Sequence, residues 1–196
     1  MSFIRTAVIP VAGIGSRLGS EIPKTLLKYN SRTILENHLN LVKDFEHIIY
    51  VVGYKYDDII TEVLKINKDV IFVHNRNYLK TNTNQSICLC KDLIDDDYFL
   101  TFDGDLIIDE AEFKEFLFNF YIHNEKDIKC FAGITKNLSE YPVYANVNNI
   151  NSVNVCDILE FSRENKTDYE WSNICIIKKE CLNEKNIYVY QNFQEY

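Results

Sequence analysis

Three of the six glycines of the chain lie within seven residues, directly after an apolar run, at Gly13, Gly15 and Gly19. A glycine-rich turn after a buried strand lets backbone N–H groups approach a phosphate, because no Cβ stands in the way. Two cations, Arg17 and Lys24, accompany the turn and could balance the charge of that phosphate. The spacing is not that of dinucleotide-binding folds, since Leu18 stands where a third glycine belongs. An ordinary strand-to-helix turn with surface cations is the alternative.

Two aspartates flank a glycine after a later apolar run, in the triplet Asp103-Gly104-Asp105. Mg²⁺ commonly binds through one or two carboxylates together with substrate phosphates. A solvated acidic turn would show the same residues. Beside the glycine-rich turn, the triplet predicts a site where Mg²⁺ meets a phosphate ester, with Asp103 and Asp105 as candidate metal ligands.

The segment Ala-Gly-Ile-Gly-Ser-Arg at residues 12–17, followed by Pro23-Lys24, resembles the signature loop of the nucleotidyltransferase family. That family includes sugar-1-phosphate nucleotidyltransferases, and the resemblance is nearest to the small cytidylyltransferases such as phosphocholine cytidylyltransferase. It implies two catalytic cations, with Arg17 at the outer phosphates of a nucleoside triphosphate and Lys24 at the α-phosphate. It also implies that four loop residues bind the nucleotide, namely Ala12, Gly13, Gly15 and Ser16.

The resemblance covers two further segments. In the family the aspartate of a Gly-Asp pair is a metal ligand, which implies a catalytic, metal-binding role for Asp105. Asp103 is one residue too early for this match, and we expect it to bind substrate, or the metal through water. Residues 75–87, rich in asparagine and threonine, are similar to a segment of phosphocholine cytidylyltransferases. This similarity places three residues near the nucleotide or the acceptor, namely Asn82, Gln85 and Ser86. A helix cap explains these residues equally well.

Two departures from the family pattern matter. Five residues separate Arg17 from Pro23, as in the cytidylyltransferases of isoprenoid and ribitol-phosphate metabolism, which favours CTP. Gln191 stands where the family has a late aspartate that helps hold the metal. Either Asp103 substitutes for that aspartate, or the true segment is missing from the chain, or the activity is impaired.

The resemblance implies that an ionised phosphate monoester attacks the α-phosphorus of the nucleotide and releases pyrophosphate, with Mg²⁺ as cofactor. Such a nucleophile needs no general base. We expect a small phosphorylated acceptor of the phosphocholine kind, activated for the decoration of surface polysaccharide, and Trp171 with Glu170 is a candidate lining of its pocket. The alternatives are a sugar-1-phosphate uridylyl- or thymidylyltransferase and a non-catalytic nucleotide-binding regulatory domain, for which Gln191 is the best argument.

Alternating elements must position these residues. Apolar runs typical of buried strands occupy residues 6–11, 48–52, 70–73 and 98–102, and helical patterns occupy residues 33–41, 59–66, 85–93 and 110–122. This alternation predicts βαβ crossovers and a parallel sheet covered on both faces. Later strand-like runs extend the sheet with few helices between them, at residues 128–134, 144–147, 153–161 and 174–177. We therefore expect an α/β fold, Rossmann-like with three α/β/α layers and a mostly parallel mixed sheet, similar to the nucleotide-diphospho-sugar transferases.

Length and charge limit the partners. The 196 residues predict a single domain, 1–196, with a nucleotide-binding half at 1–125 and an acceptor-side extension at 126–196. The net charge of −8 argues against nucleic acid, whereas the net charge of +4 over residues 1–32 suits a small anion. The apolar runs are too short to cross a membrane, and the N-terminus has no secretory pattern, so we expect a cytoplasmic protein. The sequence leaves open whether it is a monomer or a homodimer.

The remaining reactive residues form no recognisable motif. The six cysteines include no C-x-x-C pair, and we expect reduced, mostly buried thiols. The four histidines have no matched acid or nucleophile, so we expect surface or helix-packing roles for His38, His47, His74 and His123.

Overall fold

The computed structural model describes residues 4–15, 22–123, 128–151 and 155–182. The strands in these ranges are β1 (Thr6–Pro10), β2 (Lys28–Tyr29), β3 (Arg32–Thr33), β4 (His47–Val52), β5 (Val70–His74), β6 (Tyr98–Phe102), β7 (Cys130–Lys136), β8 (Tyr144–Asn148), β9 (Asp157–Ser162) and β10 (Tyr169–Lys178). The helices are α1 (Ile34–Leu41), α2 (Tyr56–Ile66), α3 (Thr83–Cys88) and α4 (Glu110–His123), with 3₁₀ turns at Lys24–Leu26, Lys91–Leu93 and Lys179–Cys181.

Eight of the strands form one mixed sheet in the order β5-β4-β1-β6-β10-β8-β9, with β7 paired to β10. The first four strands of this order are parallel, and β10 runs antiparallel to β6, β7 and β8. The register sets Ala7 of β1 opposite both Ile48 of β4 and Leu100 of β6. Because β1 and β6 are parallel neighbours, their carboxyl ends lie at the same edge of the sheet.

Alternate strand residues face two separate cores. Ala7 and Ile9 of β1 join a large core with residues of α1, α2 and α4, whereas Val8 joins a smaller core. The smaller core contains Ile87 of α3 and Ile94 beyond it. This two-residue periodicity covers both faces of the sheet and confirms the predicted three-layer α/β/α arrangement.

Local capping determines where two helices begin. The Thr33 hydroxyl accepts from the Glu36 backbone N–H, and the Glu36 carboxylate accepts from the Thr33 backbone N–H, a hydrogen bond that lowers the pKa of Glu36. Asp109 caps α4 by accepting from the N–H groups of Ala111 and Glu112. These caps satisfy backbone donors that an α-helix leaves free in its first turn.

Several predicted boundaries differ from the structure. The helix predicted over 85–93 is divided, because α3 ends at Cys88 and i to i+3 hydrogen bonds turn the chain into the 3₁₀ segment. The strand predicted over 153–161 begins at Asp157, and the one predicted over 174–177 is part of the longer β10. The β2–β3 hairpin was not predicted from the sequence.

No helix within the described ranges is both long enough and apolar enough to cross a membrane. All six cysteines are free thiols, of which Cys90 and Cys175 are buried and the other four are half-buried. The prediction of mostly buried thiols was therefore only partly correct.

Candidate functional site

A cleft opens where β1 and β6 end side by side. A cavity of about 400 Å³ and one of about 200 Å³ share four lining residues, Pro10, Gly13, Thr83 and Asp103. The glycine-rich turn follows β1, and the aspartate turn, defined here as residues 103–106, follows β6. The parallel pairing of the two strands therefore brings both predicted motifs to one site.

Lys24 and Asp105 meet in the smaller cavity. Lys24 Nζ lies 2.7 Å from Asp105 Oδ2, and both side chains remain partly exposed. Lys24 reaches this position over Gly15, where a Cβ atom would lie 2.8 Å from the Lys24 side-chain carbons. Gly15 also has a φ of +66°, a backbone conformation that glycine adopts without strain. The glycine therefore makes room for the lysine as well as for the turn.

The aspartate turn packs tightly against the end of β1. A Cβ atom on Gly104 would lie 2.5 Å from the Pro10 carbonyl oxygen and from Val11 Cγ1. The Asp103 N–H donates to the Asn173 carbonyl at 3.1 Å, and the Leu106 N–H donates to the Asp103 carbonyl at 3.0 Å. The backbone around Asp105 is therefore held on both sides.

The two carboxylates of this turn differ in environment. Burial of its carboxyl group and the nearby negative charge of Asp105 raise the pKa of Asp103 to about 7, against a smaller opposing effect of Lys24. Asp105 is the more exposed of the two and forms the ion pair with Lys24. A cation that enters the cavity would therefore meet one exposed carboxylate and one that ionises near neutral pH.

The donor set fits a divalent cation that arrives with phosphates. Asp103 and Asp105 both line the smaller cavity, and two carboxylates with nucleotide phosphates are the ligands that Mg²⁺ usually takes. Across the described ranges, no group of three or more His, Cys, Asp or Glu residues is placed to hold a metal ion by itself. Among the described residues the site thus offers two carboxylates and leaves other coordination positions open, which suits a cation that also takes nucleotide phosphates as ligands.

The loop between β5 and α3 forms one wall of the larger cavity. The buried Asn75 donates to Thr81 Oγ1 at 2.7 Å and to Ser86 Oγ at 2.9 Å, and accepts from the Asn77 N–H at 3.0 Å. Asn82 and Gln85 form a reciprocal capping box at the start of α3. The helix-cap explanation therefore accounts for the side chains of Asn82 and Gln85.

The antiparallel part of the sheet forms the opposite wall. Val143, Arg163, Trp171 and Asn173 line the larger cavity, together with Tyr78 from the β5–α3 loop. Arg163 Nη1 donates to the Tyr141 carbonyl at 3.2 Å. The buried Glu170 does not line the cavity and instead accepts from the backbone N–H groups of two residues, Leu138 and Ser139.

The structure brings together most of the residues selected from the sequence. The larger cavity is lined by Ala12, Gly13, Asn82, Ser86 and Asp103, and the smaller one by Gly13, Gly15, Lys24, Asp103 and Asp105. Gln85 lines neither cavity. Ser16, Arg17 and Gln191 lie outside the described residues. Several further lining residues come from separate segments and were not predicted from the sequence, namely Tyr78, Thr81, Val143, Arg163 and Asn173.

Sequence comparisons point to one class of enzyme. The family model for the MobA-like NTP transferase domain matches residues 7–149. A 2-C-methyl-D-erythritol 4-phosphate cytidylyltransferase of Aeromonas hydrophila is 47% identical over 47 residues, 24% of this chain and 19% of that protein. One from Desulforamulus reducens is 34% identical over 89 residues, 42% of this chain and 38% of that protein. The chain thus aligns with about a fifth to two fifths of the length of these curated relatives.

Solved structures share the fold over nearly the whole chain. The inositol-1-phosphate CTP transferase from T. maritima superposes with a TM-score of 0.73 at 17% identity, covering 93% of this chain and 74% of that one. A UDP-glucose pyrophosphorylase complexed with UDP-glucose gives a TM-score of 0.74 at 13% identity, covering 98% and 87%. These similarities confirm the predicted nucleotide-diphospho-sugar transferase fold.

Proposed function

The chain belongs to the MobA-like NTP transferase domain family, and from this membership we propose that it transfers a nucleotidyl group from CTP to a small phosphomonoester. The observation that carries the proposal is the meeting of Lys24 and Asp105 at 2.7 Å beside the glycine-rich turn. A cation at the ends of parallel strands is suited to bind a triphosphate, and the carboxylates beside it are suited to hold the divalent cation that accompanies the triphosphate.

The chemistry balances without a catalytic base. An oxygen of the acceptor phosphate forms a bond to the α-phosphorus, and the bond from the α-phosphorus to the oxygen bridging to the β-phosphate breaks. Pyrophosphate leaves with the electron pair, and the acceptor is already ionised near neutral pH. The enzyme therefore needs to position two anions and to stabilise the charge that develops on the phosphoryl oxygens.

Lys24 is the residue best placed for that stabilisation. Its stem lies across Gly15, so its ammonium group is held at the cavity and directed towards Asp105. When a nucleotide binds, Lys24 exchanges the carboxylate for an α-phosphate oxygen. The N–H groups of Gly13 and Gly15 lie in the same turn, and Arg17 carries the predicted role at the outer phosphates. These groups make the electrostatic potential at the nucleotide site positive, although the protein as a whole carries a net charge of −8.

Mg²⁺ would be held by Asp105 and Asp103, and when bound it supplies charge neutralisation to the phosphates. The protein's contribution is to hold these carboxylates in one tight turn, with Gly104 pressed against β1. Asp103 takes the place of the late aspartate that the family pattern has at the position of Gln191.

The larger cavity suits the cytidine and a small acceptor. Arg163 brings positive charge to its wall, where it can meet the acceptor phosphate, and the lining includes two aromatic residues, Tyr78 and Trp171, of the kind that bind a cationic amine. We propose a phosphorylated alcohol or amine of the phosphocholine kind, activated for surface polysaccharide. The names of the curated relatives support cytidylyl transfer, and a polyol phosphate is a further candidate acceptor.

Pyrophosphate release from a matrix of substrates tests the proposal. CTP, UTP, dTTP and ATP are combined with phosphocholine, ribitol 5-phosphate, 2-C-methyl-D-erythritol 4-phosphate and glucose 1-phosphate in the presence of Mg²⁺. We expect release with CTP and one of the first three acceptors. Release confined to UTP or dTTP with glucose 1-phosphate assigns the sugar-nucleotide activity instead. Nucleotide binding without release from any pair assigns a non-catalytic regulatory domain.

A further inference from the structure

His38 of α1 is a fully buried residue that contacts the aspartate turn. Its Nε2 atom lies 2.6 Å from the Leu106 carbonyl oxygen. Its ring packs edge-on against Phe102, with 4.9 Å between the ring centroids. Burial lowers the pKa of His38 to about 4, so the ring is neutral at physiological pH and Nε2–H donates to the carbonyl.

An imidazole is a costly choice for this position. Its neighbours on the buried face of α1 are Leu35 and Leu39, and a leucine or phenylalanine would fill the same core without polar atoms. His38 Nδ1 is buried and has no hydrogen-bond partner among the described residues. Leaving a buried polar atom unpaired costs free energy, and an apolar side chain would avoid this cost. The hydrogen bond to Leu106 is the interaction that an apolar side chain could not form.

The hydrogen bond from His38 to Leu106 constrains the turn that carries Asp105. On one side of Asp105, Gly104 is wedged against Pro10 and Val11. On the other side, the Leu106 carbonyl is held by His38. The Leu106 carbonyl belongs to the peptide that follows Leu106, one peptide beyond Asp105. Without this second constraint that peptide could rotate, and the aspartate turn would hold the Asp105 carboxylate less firmly in its direction.

We propose that His38 is a positioning residue, whose hydrogen bond to the Leu106 carbonyl sets the Asp105 carboxylate in the direction needed to bind a divalent cation. Its kinetic consequence rests on the proposed function, but its effect on cation binding does not. Partners that orient metal ligands typically change metal affinity or activity by about 10- to 100-fold when they are removed.

Two substitutions at His38 separate positioning from packing. His38→Phe keeps a ring against Phe102 and removes the donor, whereas His38→Gln restores an N–H near the position of Nε2. Tyr50→Phe is the matched control, because it removes from the same core another buried polar atom that has no hydrogen-bond partner among the described residues, and so breaks no hydrogen bond to the turn. Binding of Mn²⁺ alone to each folded protein is measured by electron paramagnetic resonance, with Asp105→Asn defining the site. Hydrogen exchange over residues 103–106 is measured in parallel.

We expect His38→Phe to weaken Mn²⁺ binding by about tenfold or more and to speed exchange in the aspartate turn. His38→Gln should recover most of both properties, and Tyr50→Phe should match the wild type. Where turnover is detected, the Mg²⁺ concentration for half-maximal rate should rise in His38→Phe. Wild-type affinity and exchange in His38→Phe, or absence of Asp105-dependent Mn²⁺ binding in the wild type, would overturn the proposal. Failure of every substrate pair, with Mn²⁺ binding weakened as expected, would refute the proposed function alone.

Discussion

Replacing Lys24 by alanine should lower kcat/KM for nucleotidyl transfer at least about a hundredfold. The ammonium group lies in the cleft, 2.7 Å from Asp105, and is the donor assigned to the α-phosphate. Removing a donor aimed at developing transition-state charge costs about 3–4 kcal/mol. Because about 1.4 kcal/mol corresponds to a tenfold change in rate, the expected loss is about 100- to 1000-fold.

The same substitution should leave the fold nearly unaffected. The Lys24 and Asp105 side chains are 32% and 41% exposed, and exposed ion pairs contribute about 0–1 kcal/mol to stability. For a chain of this size, 1 kcal/mol shifts Tm by about 2–4 °C. A large loss of rate with a small shift in Tm is therefore the expected signature of a catalytic lysine.

Initial rates of pyrophosphate release are measured with CTP and the acceptor each varied, and Tm is measured by differential scanning fluorimetry. Lys28→Ala is the matched control, because Lys28 is an exposed lysine of β2, and its replacement removes the same charge outside the two cavities. Turnover of Lys24→Ala within about threefold of the wild type would refute the role of Lys24. An equal loss in Lys28→Ala would attribute the effect to net charge instead.

Three further predictions follow from single contacts. Gly104→Ala should destabilise the protein by about 1–3 kcal/mol, because the added Cβ would lie 2.5 Å from Pro10 O and Val11 Cγ1. Gly13→Ala is the control, because a Cβ added there has no atom within 4 Å. Equal Tm values for the two variants would contradict this packing. His38 takes up a proton near pH 6.5 in the unfolded chain and only near pH 4 in the folded chain, so the free energy of unfolding should decrease as the pH is lowered from 6.5 to 4. In urea titrations, His38→Phe should reduce this decrease by about 3 kcal/mol. An unchanged pH profile would contradict the burial of the imidazole. Chelation by EDTA should abolish pyrophosphate release without lowering the Tm of the nucleotide-free protein, and turnover that persists in EDTA would exclude the assigned role of Asp103 and Asp105.

The sequence predicted the layered sheet well because burial on both faces leaves continuous apolar runs. It also predicted that the glycine-rich turn and the aspartate turn would carry the chemistry, since both follow such runs. The β2–β3 hairpin was not predicted because each of its strands has only two residues, too few to show the alternation of apolar and polar residues that indicates a strand. Its signal was the dipeptide Asn30-Ser31, whose φ angles of 48° and 69° are those of a tight primed turn.

The acceptor wall was harder to predict because its residues meet only through long-range pairing. Asn173 lies within a register shift of β10, between Trp171 and Cys175, and has a φ of 59°. A bulge of this kind changes the direction of side chains near a site, but no local sequence pattern predicts it. Glu170 and Trp171 were selected together, yet neighbouring strand residues point to opposite faces, and Trp171 alone lines the cavity.

The most direct test of the account is a crystal structure of the protein with CTP and Mg²⁺. We expect Lys24 Nζ to leave Asp105 and to lie within hydrogen-bond distance of an α-phosphate oxygen, Arg17 to contact the outer phosphates, and Asp105 to face the cation. A nucleotide bound elsewhere, with Lys24 still paired to Asp105, would contradict it.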